Sequence, residues 1–176
     1  MTVSLPTERA RGVPPATLAI REFTDVLTTN FRDINLQWID AMYRVEQTDR
    51  DVLDHSRDRI ISQGGAILFV EDSKLGIIGT CALQKTGERQ FELTKMGVLE
   101  AARGLKAGEF LLRAVIARAC ELDADLLYLL SNKKSAAAIH LYEKLRFRHD
   151  ALIMRDFGVR YERCDVAMRY HSELPT

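Results

Sequence analysis

No charge of one sign dominates this chain: 25 lysines and arginines meet 25 aspartates and glutamates, for a net charge of zero. That balance gives no sign of a nucleic-acid partner or of a surface that docks on an acidic membrane. Long hydrophobic runs are missing as well. No apolar stretch approaches the roughly 20 residues that cross a bilayer, and the N-terminal residues lack the basic start and hydrophobic centre of a secretory signal. The expectation is a cytoplasmic protein with neither membrane nor nucleic acid as partner. Cysteine is scarce. Cys81, Cys120 and Cys164 are odd in number, widely separated and set among apolar neighbours, without a Cys-x-x-Cys pair, and read as buried free thiols. His55, His140, His149 and His171 form no ligand spacing, so no metal site is assigned. Three of the four prolines fall in the first fifteen residues, which show no periodicity. Residues 1–15 are read as a flexible leader and 16–172 as a single domain.

What is present suffices for a core: 47% of the 176 residues are hydrophobic. Ala16, Leu18 and Ile20 alternate with polar partners and predict a first strand. Apolar residues at helical spacing predict a helix over 23–45, in which Phe23, Phe31 and Trp38 read as core. A second helix is expected over 50–62, ended by Gly64 and Gly65. A hairpin of strands 66–70 and 76–83 follows, then a strand over 91–98. The helix expected over 106–122 has Leu111, Val115, Ala119 and Leu122 on one side, with Leu112, Ile116 and Cys120 beside them. Leu126 to Leu130 is a continuous apolar strand of the kind covered on both faces. A helix over 135–145 and strands over 146–151 and 163–170 complete the reading. Internal repeats, low-complexity segments and linkers are absent from it.

Two short patterns carry chemistry. The run Arg103, Gly104, Leu105, Lys106, Ala107, Gly108 stands between the strand 91–98 and the following helix. The first N–H groups of a helix have no partner within it, and the peptide dipoles add positive potential there, so a phosphate can dock. Gly104 and Gly108 permit close backbone approach, while Arg103 and Lys106 add charge. Alone, such a turn is more often a plain reversal of the chain. The second pattern is Ala138-Ile139-His140-Leu141-Tyr142-Glu143-Lys144-Leu145-Arg146-Phe147.

Taken together, residues 75–148 resemble the GCN5-related N-acetyltransferase (GNAT) superfamily. Its first signature, Arg/Gln-x-x-Gly-x-Gly/Ala, is met at Arg103, Ala107 and Gly108, with Lys106 where a glycine is usual. Its second, Ala-Ile-x-Leu-Tyr-Glu-Lys-Leu-Gly-Phe, is met from Ala138 to Phe147, with Arg146 at the usual glycine. Arginine there has to hold a left-handed conformation, at a cost of roughly 1 kcal/mol relative to glycine. The resemblance implies an α/β fold (α+β by some schemes): a mixed, mostly antiparallel sheet whose central parallel pair splays apart, with helices on both faces. It implies acetyl-CoA as co-substrate, lying between strands 91–98 and 126–130. Its pantetheine arm would pair with the backbone of Met96, Gly97 and Val98, and its pyrophosphate would sit on residues 103–108. Backbone N–H groups there can polarise the thioester carbonyl, and positioning alone supplies much of the rate.

The same resemblance makes Tyr142 the candidate donor to the departing thiolate; the alternative is a core-packing tyrosine with a surface hydroxyl. Glu92 is a candidate base through a water link, or else a strand-edge carboxylate paired with Lys95 or Arg89. Asn132 and Ser135 either contact the cofactor arm or cap the following helix. Lys133 and Lys134 read as a solvated pair, with the adenosine 3′-phosphate as the other option. Trp38, Tyr43, Glu46, Asp49 and Tyr161 to Arg163 are the natural acceptor-site candidates. Glu46 and Asp49 would hold a cationic amine, or be a surface carboxylate and a helix N-cap. The expected activity is acetyl transfer from acetyl-CoA to a primary amine by direct attack in a ternary complex, small-molecule amine before peptide lysine. A non-catalytic acyl-CoA-binding or regulatory module is the alternative. A dinucleotide-binding domain would need a Gly-x-Gly-x-x-Gly turn that is missing. A homodimer through the terminal strands is one arrangement open to such a sheet.

Overall fold

The computed structural model describes residues 18–172; the leader assigned to residues 1–15, and Ala16 of the first strand, lie outside them. Seven strands form one sheet in the order β1-β2-β3-β4-β5-β7-β6. They are β1 (Leu18–Glu22), β2 (Ala66–Asp72), β3 (Gly76–Gly87), β4 (Gln90–Val98), β5 (Leu126–Ser131), β6 (Phe147–His149) and β7 (Val166–Tyr170). The helices are α1 (Thr28–Met42), α2 (Gln47–Asp54), α3 (Ala107–Glu121), α4 (Ala136–Lys144) and α5 (Ala151–Phe157). None of the described helices is long and apolar enough to cross a membrane.

The alternation of strand side chains divides the core. On β2, Ala66, Leu68 and Val70 join Leu111, Leu112 and Val115 of α3. The intervening Ile67 and Phe69 join Phe31 and Ile39 of α1 on the other face. Tyr128 of β5 stacks on Phe157 of α5, ring centroids 4.2 Å apart, within a third apolar cluster that includes Ile153 and Ala167. The all-apolar β5 is therefore covered on both faces, as its sequence implies.

All strand pairs are antiparallel except β4 with β5. That parallel pairing runs only from Gln90 opposite Leu126 to Leu93 opposite Leu129. On its other edge β5 pairs with β7 from Tyr128 opposite Arg169 to Ser131 opposite Val166, so Leu130 and Ser131 keep β7 alone as partner. The expected splay is present, and it leaves Thr94 to Val98 of β4 with β3 on one side and an open edge on the other.

Several expectations are corrected. The single helix over 50–62 is two pieces: α2 begins at Gln47, and after His55 the chain forms a separate π turn, Arg57–Ile61. Glu46, not Asp49, occupies the N-cap position; Asp49 stands one turn in and accepts a hydrogen bond from the Glu46 N–H at 2.9 Å. Residues 146–151 are not one strand, because Asp150 accepts hydrogen bonds from the N–H groups of Leu152 and Ile153 and starts α5. Cys81 is buried, but Cys120 is exposed and Cys164 half-buried. Each step of four along a helix turns about 40° past a full circle, so the row from Leu112 through Ile116 carries Cys120 out of the core face.

Candidate active site

The open edge of β4 begins at a bulge. Ala82 of β3 faces Thr94 and Thr80 faces Gly97, so Lys95 and Met96 together oppose Cys81. Lys95 holds φ at +53°, a left-handed conformation uncommon outside glycine. Its side chain explains how that is maintained. The Lys95 ammonium, 2% exposed, lies 3.0 Å from the Asp49 carboxylate, which is wholly buried. Lys95 also donates to the Tyr161 hydroxyl at 3.3 Å.

Arg163 joins the same cluster, donating to Asp49 through two nitrogens, at 2.8 Å each, and to Glu46 at 2.7 Å. Its guanidinium sits between aromatic rings, 5.6 Å from the Tyr43 centroid and 5.2 Å from that of Tyr161. Burial pushes the Asp49 carboxyl up, but the Arg163 hydrogen bonds and the Lys95 charge outweigh it and hold the pKa down at about 2. For Lys95, burial opposes the charge, yet Tyr161 and Asp49 prevail and the pKa lies above the ordinary lysine value. Asp49 is thus a saturated structural carboxylate that ties α2 to the β4 bulge. It is not free to hold a cationic substrate.

Between the splayed strands lies a cavity of about 310 Å³. The open edge of β4 from Thr94 to Val98 forms one wall, with Trp38, Tyr43, Tyr142, Tyr161 and the start of α4 around it. Trp38 packs on Gly97, where a β-carbon would come within 2.5 Å of its ring; this glycine gives room to the indole. Across the cavity the Tyr43 hydroxyl and Ser135 Oγ are hydrogen-bonded at 2.8 Å, linking the end of α1 to the start of α4.

Of the residues expected to serve chemistry, the cavity brings together Met96, Gly97, Val98, Asn132, Ser135 and Tyr142. Tyr142 is buried, with its ring edge-on to Phe147 at 5.9 Å. Its hydroxyl donates only to the Met96 sulfur, at 3.8 Å, a weak acceptor. Burial, and to a smaller extent Cys81, pushes its pKa far above the ordinary tyrosine value, so the phenol stays protonated. Asn132 uses its amide within the loop, donating to the Arg163 carbonyl at 2.6 Å and accepting from the Lys134 N–H at 2.9 Å. Ser135 holds the N-cap position of α4, but its hydroxyl serves Tyr43 instead of the helix.

Glu92 does not reach the cavity. Its side chain is 1% exposed and is closed by an ion pair to Arg160, neither Lys95 nor Arg89 being its partner. Burial raises its pKa despite Arg160 and Lys95, because desolvation falls on the carboxylate while Arg160 keeps a third of its side chain in water. Arg160 follows α5, the helix that sequence reading misses; Asp150 ahead of the helix-compatible Ala-Leu-Ile-Met is the signal that marks it. The bulge has a sequence signal too. Glu92 and Thr94 keep strand alternation, and Lys95 immediately after breaks it.

Residues 103–108 stand beside this cavity, not in its wall. Gly104 and Lys106 have φ of +84° and +56°, so Lys106 adopts by strain what glycine adopts freely. The N–H groups of Gly104, Lys106, Ala107 and Gly108 meet no acceptor among the described residues. A β-carbon on Gly108 would touch Leu141, Met96 and Val98 at 3.5–3.9 Å, which places the start of α3 against the far end of the open β4 edge. The Arg103 side chain is 80% exposed and pairs loosely with Glu100 at 3.5 Å. Leu105 packs on the core and Ala107 is buried. Arg146 takes the left-handed conformation expected of it, φ +74°.

A mixed sheet with a splayed parallel pair, an open strand edge in the gap and an unpaired helix start beside it defines a class of acyl-CoA-dependent transferases. The sequence profile of the acetyltransferase (GNAT) family matches residues 29–147, and the chain belongs to that family. A GNAT acetyltransferase of Staphylococcus aureus Mu50 superimposes with a TM-score of 0.78 at 21% identity, covering 88% of this chain and 98% of that one. An acetyltransferase of Streptococcus agalactiae 2603 gives 0.73 at 16%, with 87% and 97% covered. A GNAT acetyltransferase of Elizabethkingia anophelis with acetyl-CoA bound gives 0.63 at 16%, with 88% and 97% covered. These likenesses concern the fold. No curated protein matches the chain significantly.

Proposed function

We propose that the protein transfers an acetyl group from acetyl-CoA to the primary amine of a small molecule by direct attack in a ternary complex. The observation that carries this reading is the open β4 edge, Thr94 to Val98, with the Tyr142 hydroxyl in the same cavity. Exposed strand backbone can pair with the amide groups of a pantetheine arm, and the unpaired N–H groups of Gly104, Lys106, Ala107 and Gly108 suit a pyrophosphate. The acetyl-CoA found in the Elizabethkingia relative supports that assignment.

In this reading the amine nitrogen forms a bond to the acetyl carbon as the carbon–sulfur bond breaks. The electron pair of that bond leaves on sulfur, and the amine releases one proton. Tyr142 supplies a proton to the sulfur and regains one, by way of water, from the proton that the amine releases; its hydroxyl has nothing better than a thioether to bond to. Glu92, closed by its ion pair to Arg160, has no contact with the reactants. Open β4 backbone and neighbouring N–H groups orient the thioester, so most of the rate comes from position. The test is thiol release from acetyl-CoA against a panel of amines. Acceptor-dependent release supports the proposal; acetyl-CoA binding without release for any amine leaves the non-catalytic binding module as the better account.

A further inference from the structure

We infer that the acceptor is a small amine that also carries a carboxylate, and that Arg163, with Lys134 beside it, recognises that carboxylate. The inference rests on the transferase reading above and specifies its acceptor. Lys95, Lys134 and Arg163 line the cavity, the Lys95 ammonium turned away and buried against Asp49; among the described residues no aspartate or glutamate lines it. The two carboxylates nearest in chemistry, Asp49 and Glu46, are bonded behind Arg163. Three cations against two carboxylates leave one positive charge unmatched. A polyamine or a lysine side chain would enter this space without a counter-charge, at a cost in desolvation.

Of the four aromatic walls, the two nearest Arg163, Tyr43 and Tyr161, do not offer a cation site either. Arg163 lies over both Tyr43 and Tyr161, Lys95 over Tyr161 at 4.8 Å and Lys134 over Tyr43 at 5.9 Å. Protein cations already hold these rings. Arg163 makes three hydrogen bonds out of the five that a guanidinium can donate, which leaves donors in the fork geometry that suits a carboxylate. Its two carboxylate partners fix its orientation and lower the entropy lost when a ligand binds.

Location separates this charge from the cofactor phosphates. The helix start proposed for the pyrophosphate abuts Val98 and Met96. Arg163 is bonded to Asp49, the partner of Lys95, at the opposite end of the open β4 edge. A carboxylate held there directs the amine of the same small molecule toward the thioester. Excess positive charge nearby also disfavours the ammonium form of the acceptor. The amine can therefore arrive neutral, and its proton leaves to water after nitrogen–carbon bond formation, without a carboxylate or histidine in the wall.

The test is thiol release from acetyl-CoA with the twenty common amino acids, set against tyramine, tryptamine, phenethylamine, putrescine, spermidine and a lysine peptide. Acetyl-CoA binding is measured separately by calorimetry, so that failure to bind the cofactor counts against the transferase reading itself. The expected result is at least about tenfold higher kcat/KM for an amino acid than for the amine lacking its carboxylate. Lys134→Glu, at an exposed position, should raise KM for that amino acid about tenfold, with no rise for the carboxylate-free amine. Arg163→Lys, which keeps a charge on Asp49 but loses the fork, should raise KM for that amino acid as well. Faster turnover of spermidine or the lysine peptide, equal turnover of paired acids and amines, or acetyl-CoA binding with no amino acid turned over would each overturn the inference.

Discussion

Tyr142 combines two properties that seldom coincide: a buried phenol held protonated, and a hydroxyl bonded only to a thioether sulfur. Replacing it by phenylalanine keeps the ring on Phe147 and removes only the hydroxyl. Tyr142→Phe should lower turnover on the order of a hundredfold while calorimetric affinity for acetyl-CoA stays the same; unchanged turnover would remove the tyrosine from the chemistry. Asp49 presents the opposite case, a carboxylate whose value is structural. Its folded pKa of about 2 lies below the ordinary aspartate value of 3.8, so its stabilisation is fully present above pH 3.8 and is lost as pH falls through 2. The difference corresponds to about 2 kcal/mol. Asp49→Asn leaves the buried Lys95 ammonium uncompensated, and should cost roughly 3 kcal/mol in urea unfolding at pH 7 and remove this acid-dependent part of the stability curve. The place of Tyr142 in the cavity wall was legible in the sequence because a contiguous motif carries it. That of Asp49 was not, because its partners Lys95 and Arg163 are 46 and 114 residues away in the chain.

At the scale of elements, β4 and the turn after it define the site, and both depart from regular geometry. The bulge at Lys95 opens one edge of the strand, and the left-handed turn at Gly104 and Lys106 presents unpaired N–H groups. Gly108→Ala should fold normally, since an added methyl meets only ordinary contacts at 3.5–3.9 Å, whereas Gly108→Trp should abolish acetyl-CoA binding in the same calorimetric measurement. Gly97→Ala differs: its β-carbon would meet Trp38 at 2.5 Å, and a loss of about 1–3 kcal/mol in thermal or urea unfolding is expected. Strands and helices with clean periodicity, such as β5 and α3, are readable directly. The break between α2 and the π turn, and the short α5, are not, because local capping at Glu46 and Asp150 sets their boundaries against a similar apolar content.

For the whole molecule, the apolar run Leu126 to Leu130 of β5 is central and covered on both faces, and its pairing with β4 ends at Leu129, where the two strands splay. The fold class was therefore legible from the succession of elements together with the two motifs. Which charges line the cavity was not. That depends on Lys134 and Arg163 approaching the site from the segments that precede α4 and β7, and on Asp49 being closed off by its own partners.

One measurement tests the central claim most directly: thiol release from acetyl-CoA by the purified full-length protein, followed with and without an amine panel after calorimetric confirmation of cofactor binding. The account predicts saturable binding and release that depends on the acceptor and falls sharply in Tyr142→Phe. Absence of acetyl-CoA binding, or release that is indifferent to both acceptor and Tyr142, would contradict it.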